Sequence, residues 1–335
     1  NNATSGAVIL FSSLGNNAGA TNNTVKNCNI IGGATSGGYG ISIGGATAGT
    51  AGADNDNITI TNNNIGKTNI GIYAFASTTA NATDNLFISN NVIGNDVDAN
   101  SVGNIGINMS YCNNSNILNN VIKNLKVGTT PKGIFLSTGV TNTAVDRNNI
   151  NKIWYTGTSG YGGWGININT GNTASNITVK NNIIYDIMGD GWNSITGSSM
   201  SGIVLDGTTG GINIYHNTVN LSGNYSRSAT ATITTSLFVN SSVTNLDIRN
   251  NIFTNSMVNT GNTGAKAYAI YSSAANTAFT NINYNDYFAS GTQGVLGYIG
   301  SDRTNLAGIQ AGFGQNVNSI NIDPVYSSAT DLTPT

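Results

Sequence analysis

The chain has 335 residues, with 14 acidic positions that are all Asp and no Glu, so any carboxylate chemistry falls to Asp. Two groups have spacing that could do chemistry. Asp54 and Asp56 are followed by Asp84 at the equivalent place in the next repeat, which would set carboxylates about 5 Å apart if repeats stack at strand spacing. Asp96 and Asp98 form a D-x-D-x-N run with Asn100. Oxygen clusters of this kind suit Ca²⁺. Beside an Arg or Lys base they would suit calcium-assisted elimination from an acidic polysaccharide, although no Arg is near either run in sequence. Short Asp/Asn runs are equally ordinary turn formers. Glycosidic hydrolysis would need two carboxylates about 5–10 Å apart flanking one bond. The single His, His216, stands where other repeats carry an Asn at a corner, and reads as a corner residue.

All three Trp fall in one stretch, Trp154, Trp164 and Trp192, with Tyr155 and Tyr161 among them and Gly on either side. Flat rings beside amides and carboxylates can stack on the apolar faces of sugars, so these five residues are the expected glycan-contacting patch. The alternative is that they pack over long loops and seal the core. Cys28 and Cys112 would sit two to three repeats apart, about 10–14 Å at strand spacing and beyond the reach of a disulfide. Both are expected to be small core residues.

A repeat must position these side chains. One phrase recurs as NNTVKNCNI at 22–30, NITITNNNI at 57–65, NLFISNNVI at 85–93, NSNILNNVI at 114–122, NTAVDRNNI at 142–150, NITVKNNII at 176–184, GINIYHNTV at 211–219, NLDIRNNIF at 245–253 and FTNINYNDY at 279–287. A second phrase interleaves with it, a small residue followed by an apolar anchor: Val8, Ile41, Ile72, Ile107, Ile134, Ile166, Ile203, Leu237 and Ile270. Period-2 alternation over such short segments reads as strands. Units of 28–35 residues with three short strands cannot bury their apolar side chains alone, so they must stack in parallel. The expected fold is all-β, a parallel β-helix of about nine coils over residues 1–287.

The 58 Asn fit this reading. Asn tolerates the left-handed conformation of a tight corner, and stacked amides can bond to one another as a ladder. The outward pairs of the first phrase include only one Thr–Thr pair, Thr59/Thr61, which argues against an ordered ice-binding array. Residues 288–335 break the rhythm. Leu306, Ile309 and Phe313 are at helical spacing, with strand-like stretches at 295–299 and 319–325. This segment is expected to cap the open end of the stack or to join a following domain.

With 12 Lys+Arg against 14 Asp and a net charge of −2, a basic nucleic-acid-binding surface is not expected. No apolar run reaches the roughly 18–20 residues of a membrane-spanning helix. No cofactor is called for apart from Ca²⁺ at the Asp runs. The absence of an initiating Met leads us to expect a mature or excised piece of a longer chain.

The phrase NITVKNNII followed by GIxL resembles the right-handed parallel β-helix repeats of pectin-lyase-like proteins, over roughly residues 7–287. That resemblance implies the right-handed coil. The family's Asp-Asp, Gly-His-Gly and Arg-x-Lys hydrolase motifs have no counterpart here. The segments GNDVDANSVGNIGI and IYHNTVNLSG and the tail from Asn283 resemble long secreted surface proteins of type-IX-secreting bacteria. This implies an extracellular or cell-surface location, further domains in the same chain, and glycans or matrix components as partners. The expected function is a non-catalytic structural or adhesive segment. A polysaccharide lyase or glycoside hydrolase, and a carbohydrate-binding module, are the alternatives.

Overall fold

A computed structural model describes residues 6–126 and 128–333. The interleaved phrases fold into three parallel sheets wound as a β-solenoid of about eight turns. The first sheet runs through eleven strands, from Ala7–Ser12 to Ser301–Arg303. The second runs through nine, from Thr24–Lys26 to Phe279–Asn283, and the third from Asn29–Ile31 to Asp286–Ala289. Every link in these ladders is parallel except the last, where Ser301–Arg303 turns back antiparallel on Gly294–Ile299. Among the described residues no helix is long and apolar enough to cross a membrane.

Register follows the repeat. The residues closing the first phrase, Ile30, Ile65, Ile93, Ile122, Ile150, Ile184, Val219, Phe253 and Tyr287, are partners in one continuous row and all are buried. The second-phrase anchors form another row from Ile41 to Ile270. The pairs Ile41/Ile43, Ile107/Met109, Ile134/Leu136, Ile166/Ile168 and Ile203/Leu205 are completely buried. The first copy departs from expectation. Ile9, not Val8, pairs with Ile41, and Val8 is exposed. A one-residue shift moves a strand's side chains to the opposite face, and at the first coil two adjacent apolar residues left the choice open.

The small residue before each anchor has a steric cause. At Gly40, Gly71, Gly106, Gly133 and Gly165 a Cβ would come within 2.5–2.6 Å of Cγ2 of the third-sheet Ile in that coil. Any side chain there would push the two sheets apart.

Asn serves two corners differently. The residue opening the first phrase is left-handed at Asn22, Asn57, Asn85, Asn114, Asn142, Asn176 and Asn245, with Gly211 taking the role in the seventh copy. At the second corner the left-handed residue is the one preceding the buried Asn. It is Asn62, Asn90, Asn119, Arg147, Asn181, His216, Asn250 or Tyr284. The expectation that the buried Asn itself turns the corner is thus corrected: one residue bends the chain and the next builds the ladder. Asn63, Asn91, Asn120, Asn148, Asn182, Asn217, Asn251 and Asn285 are buried. The Asn285 side-chain amide nitrogen donates to the Ile248 carbonyl and the Tyr287 hydroxyl. From Asn63 to Asn251 each side-chain amide nitrogen donates to the next rung's Oδ1 at 2.9–3.0 Å. The same Oδ1 also accepts the lower rung's backbone N–H. The ladder starts at the Cys28 N–H on Asn63 and ends with the Asn285 N–H on Ser319 Oγ.

Leu306–Phe313 is the expected helix, capped by the Asn305 side chain on the Gly308 N–H and closed by left-handed Gly314. Ile309 and Phe313 are buried in the main core, with Phe313 edge-on to Phe279 at 5.1 Å. Gly294–Ile299 extends the first sheet. The expected strand at 319–325 does not form. Only an isolated bridge from Ile320 to Asp286 occurs there, because residues 322–325 leave the sheet edge and cross the outside of the third sheet.

Candidate functional site

Asp54, Asp56 and Asp84 serve the coil corners. Asp56 Oδ1 accepts the Asp84 N–H at 2.8 Å, and Asp84 Oδ1 accepts Asn113 Nδ2 at 2.8 Å. These carboxylates act as rungs of a side-chain ladder. Burial raises the Asp56 pKa, and the neighbouring Asp84 and Asp54 charges add to it. Asp54 is left-handed and accepts the Asn17 N–H. Asp96 and Asp98 lie apart from that group, on a surface row of lysines. Asp96 meets Lys123 at 2.6 Å and Lys152 at 3.8 Å, and Asp98 meets Lys126 at 3.0 Å. Hydrogen bonds from Lys123 to Asp96, and from Asn124 and Lys126 to Asp98, hold both pKa values low. Among the described residues no group of three or more His, Cys or Asp side chains is set to hold a metal ion. His216 is exposed, with φ of 54°, at the corner position expected of it. Cys112 is buried, and desolvation pushes its thiol up to about 12. Cys28 is exposed, contrary to expectation, because it stands on the first rung of the ladder among the described residues and has a neighbouring rung on one side.

The five aromatic residues of the expected patch do not share one surface. Trp164 is 5% exposed. It packs with Ile195, Val204 and Phe238, and its indole N–H is held by the Ser199 carbonyl at 2.7 Å. Both its faces are closed, so it seals a loop rather than offering a ring. Trp192 lies against Arg227 at 5.2 Å, and Arg227 is paired with Asp190. Tyr155 and Tyr161 meet edge-on at 5.3 Å. Trp154 stands apart near the third sheet, bonded to Asp186 Oδ1 at 2.9 Å.

An aromatic surface does exist, on the outer side of the first sheet. The residue after each anchor forms a row: Ser42, Tyr73, Asn108, Phe135, Asn167, Val204, Phe238, Tyr271 and Tyr298. At its C-terminal end Phe238 and Tyr271 are stacked at 5.9 Å. Tyr271 and Tyr298 are stacked face to face, with 5° between their planes and 4.3 Å between centroids. Tyr268 closes the side edge-on to Tyr271 at 5.0 Å, its hydroxyl donated to Asp302 at 2.9 Å. A cleft of about 240 Å³ opens beside Phe238 and Tyr271, rimmed by Asn193, Thr196, Asn240 and Ser273. Burial, with the nearby Tyr298 hydroxyl, pushes the Tyr271 phenol up to about 12, so it remains a neutral donor. The signal was present in the sequence: it appears once the outward residues of the second phrase are aligned as those of the first were.

Geometrically, this is a parallel β-solenoid with a polar cleft beside stacked rings. Comparison with known proteins gives no matching family model, no matching curated protein and no matching solved structure.

Proposed function

We propose that this chain is a non-catalytic, extracellular structural or adhesive segment of a longer cell-surface protein, and that it contacts glycan through the Tyr271–Tyr298 face, which the buried Phe238 supports from below. In this reading it is akin to the pectin-lyase-like β-helices and to the surface proteins of type-IX-secreting bacteria. Residues 288–335 then close the stack or join it to a following domain. The observation that carries the reading is the face-to-face stacked ring pair Tyr271–Tyr298, whose Tyr271 borders a cleft rimmed with amides and hydroxyls. Rings held by a rigid sheet lose little freedom on contact; with their inner faces taken up by stacking, they offer a sugar their edges, their phenol hydroxyls and the outer face of the last ring. The Asp groups support the non-catalytic part, since Asp54, Asp56, Asp84, Asp96 and Asp98 are each engaged in a corner hydrogen bond or a lysine pair.

A glycan array read with wild type and with a Tyr271→Ala/Tyr298→Ala variant tests the contact. Binding that the variant loses is the expected result, and equal binding by both proteins would remove the proposed face. Release of reducing or unsaturated sugar ends from a polysaccharide panel, with or without Ca²⁺, would overturn the non-catalytic reading.

A further inference from the structure

The outer side of the third sheet carries a second, independent surface. After Ile322 the chain crosses this sheet, held by its N–H on Asp286 Oδ1 at 3.1 Å. Between this crossing segment and the sheet lie two clefts of about 390 and 420 Å³, which share Ser222 and Ala329 as lining residues. Together they form one groove along the solenoid axis. Its floor follows the register of the coils. Trp154 pairs with Met188, Ser222 with Ser256, and Asn220 with Thr254 and then Phe288. From the fifth copy to the ninth this spans about 20 Å at strand spacing.

The groove's chemistry is specific. Trp154 at one end has its ring plane fixed by two indole N–H contacts, to the Asp186 carbonyl at 3.0 Å and to Asp186 Oδ1 at 2.9 Å. Among the described residues no donor reaches the other carboxylate oxygen of Asp186, which lines the same cleft. The middle presents hydroxyls and an amide, with Thr254 Oγ1 donating to Asn220 Oδ1 at 2.7 Å. Phe288 and Tyr326 give apolar faces at the far end, beside Asp323. Rings at both ends, hydroxyl partners between them and an acceptor carboxylate at each end match a neutral, many-hydroxyl, extended ligand. Lys126 lies over one face of the Trp154 ring at 4.7 Å and with Lys152 offsets the Asp186 charge, so the charge that disfavours an anionic chain is that of Asp323, which no salt bridge balances among the described residues. A coil step of about 4.8 Å also returns equivalent polar groups at intervals close to the length of one sugar ring.

We infer that this groove binds an unbranched, neutral saccharide chain lying parallel to the solenoid axis. With the first-sheet face, the molecule would then hold glycan on two sides and could bridge two chains. The inference does not depend on the first-sheet reading. The test uses the protein labelled with 5-fluorotryptophan, whose three ¹⁹F resonances are assigned with Trp154→Phe. It is titrated with the β-1,4-linked hexaoses of glucose, mannose and N-acetylglucosamine, and with hexagalacturonate. The expected result is a saturable shift of the Trp154 resonance with at least one neutral hexaose and none with the uronate. Binding should be at least tenfold weaker in Ser256→Phe, which fills the floor, and unchanged in Tyr271→Ala/Tyr298→Ala, which touches only the other face. No Trp154 shift with any neutral hexaose, or an undiminished shift in a folded Ser256→Phe protein, would overturn the proposal.

Discussion

Replacing Asn182 by Leu should destabilise the solenoid far more than the same change at Asn172, although both are polar loop-side asparagines in one coil. Asn182 is fully buried. Its amide nitrogen donates at 2.9 Å to Asn217 Oδ1, to the Val145 carbonyl in the coil below and to the Lys180 carbonyl. Its Oδ1 accepts the Asn148 backbone N–H at 2.9 Å and the Asn148 amide at 3.0 Å. After substitution the Asn148 amide keeps the Ile117 carbonyl, and Asn217 Oδ1 keeps the Asn182 N–H. The Asn148 N–H and the Val145 carbonyl lose those partners inside the wall. Each orphaned buried group costs about 1–3 kcal/mol, so the loss is roughly 2–6 kcal/mol before any misfit of the branched side chain. Asn172 is half-exposed, and its Oδ1 accepts one N–H, from Ala174 at 2.9 Å. Water can replace that bond, and the expected cost is within about 1 kcal/mol. Repeat arrays can lose two-state cooperativity. Equilibrium urea unfolding should therefore be paired with hydrogen exchange at Asn148 and its coil neighbours. Costs for the two variants within about 0.5 kcal/mol of each other, with unchanged protection around Asn148, would refute the ladder argument.

Ile166→Ala removes a completely buried anchor and should cost roughly 2–5 kcal/mol through lost burial and an unfilled cavity, measured by the same urea titration. Lys132 is half-buried against the rings of Phe135 and Trp164, and desolvation pulls its pKa down to about 8. Lys132→Met should raise the melting temperature at neutral pH, with a gain that fades as the pH rises through that value and the native lysine sheds its charge. Burial raises the carboxyl pKa values of Asp56, Asp186 and Asp286, so their ionised forms are less favourable in the folded chain than in the unfolded one. Stability that is fully present below the ordinary carboxyl range near about pH 4 is lost as the pH climbs through the raised values. Melting should therefore occur at a higher temperature at about pH 4.5 than at about pH 7.5. Asp96 and Asp98 shift the other way, but both are fully exposed, so solvent screening leaves them little weight. A lower melting point in mild acid would contradict this balance.

The architecture was legible because it is written in a period. Apolar alternation, a small residue before each anchor and Asn at fixed corners recur often enough for register to follow by alignment, and the rows from Ile30 to Tyr287 and from Ile41 to Ile270 are those the phrases imply. Legibility failed where the period has no neighbour to enforce it. Val8 and Ile9 are both apolar, and among the described residues no coil lies below to select a face. A free cysteine reads as a small core residue, yet Cys28 stands on the first rung among the described residues and is exposed. Residues 319–325 alternate like a strand, but only Ile320 finds a bridge partner.

The aromatic residues show a different limit. Trp154, Trp164 and Trp192 are neighbours in sequence, and sequence proximity in a solenoid places residues around the coil, on different faces. Trp154 emerges beside the third sheet, while Trp164 lies in a first-sheet strand under the loop that carries Ile195. Phe238, Tyr271 and Tyr298 are 27–33 residues apart and meet because strand pairing converts one repeat length into one step along the axis. Surface chemistry in this fold therefore follows columns of equivalent positions. A binding face is found by reading one position down successive coils, and both the stacked tyrosines and the serine-floored groove of the third sheet emerge in that direction.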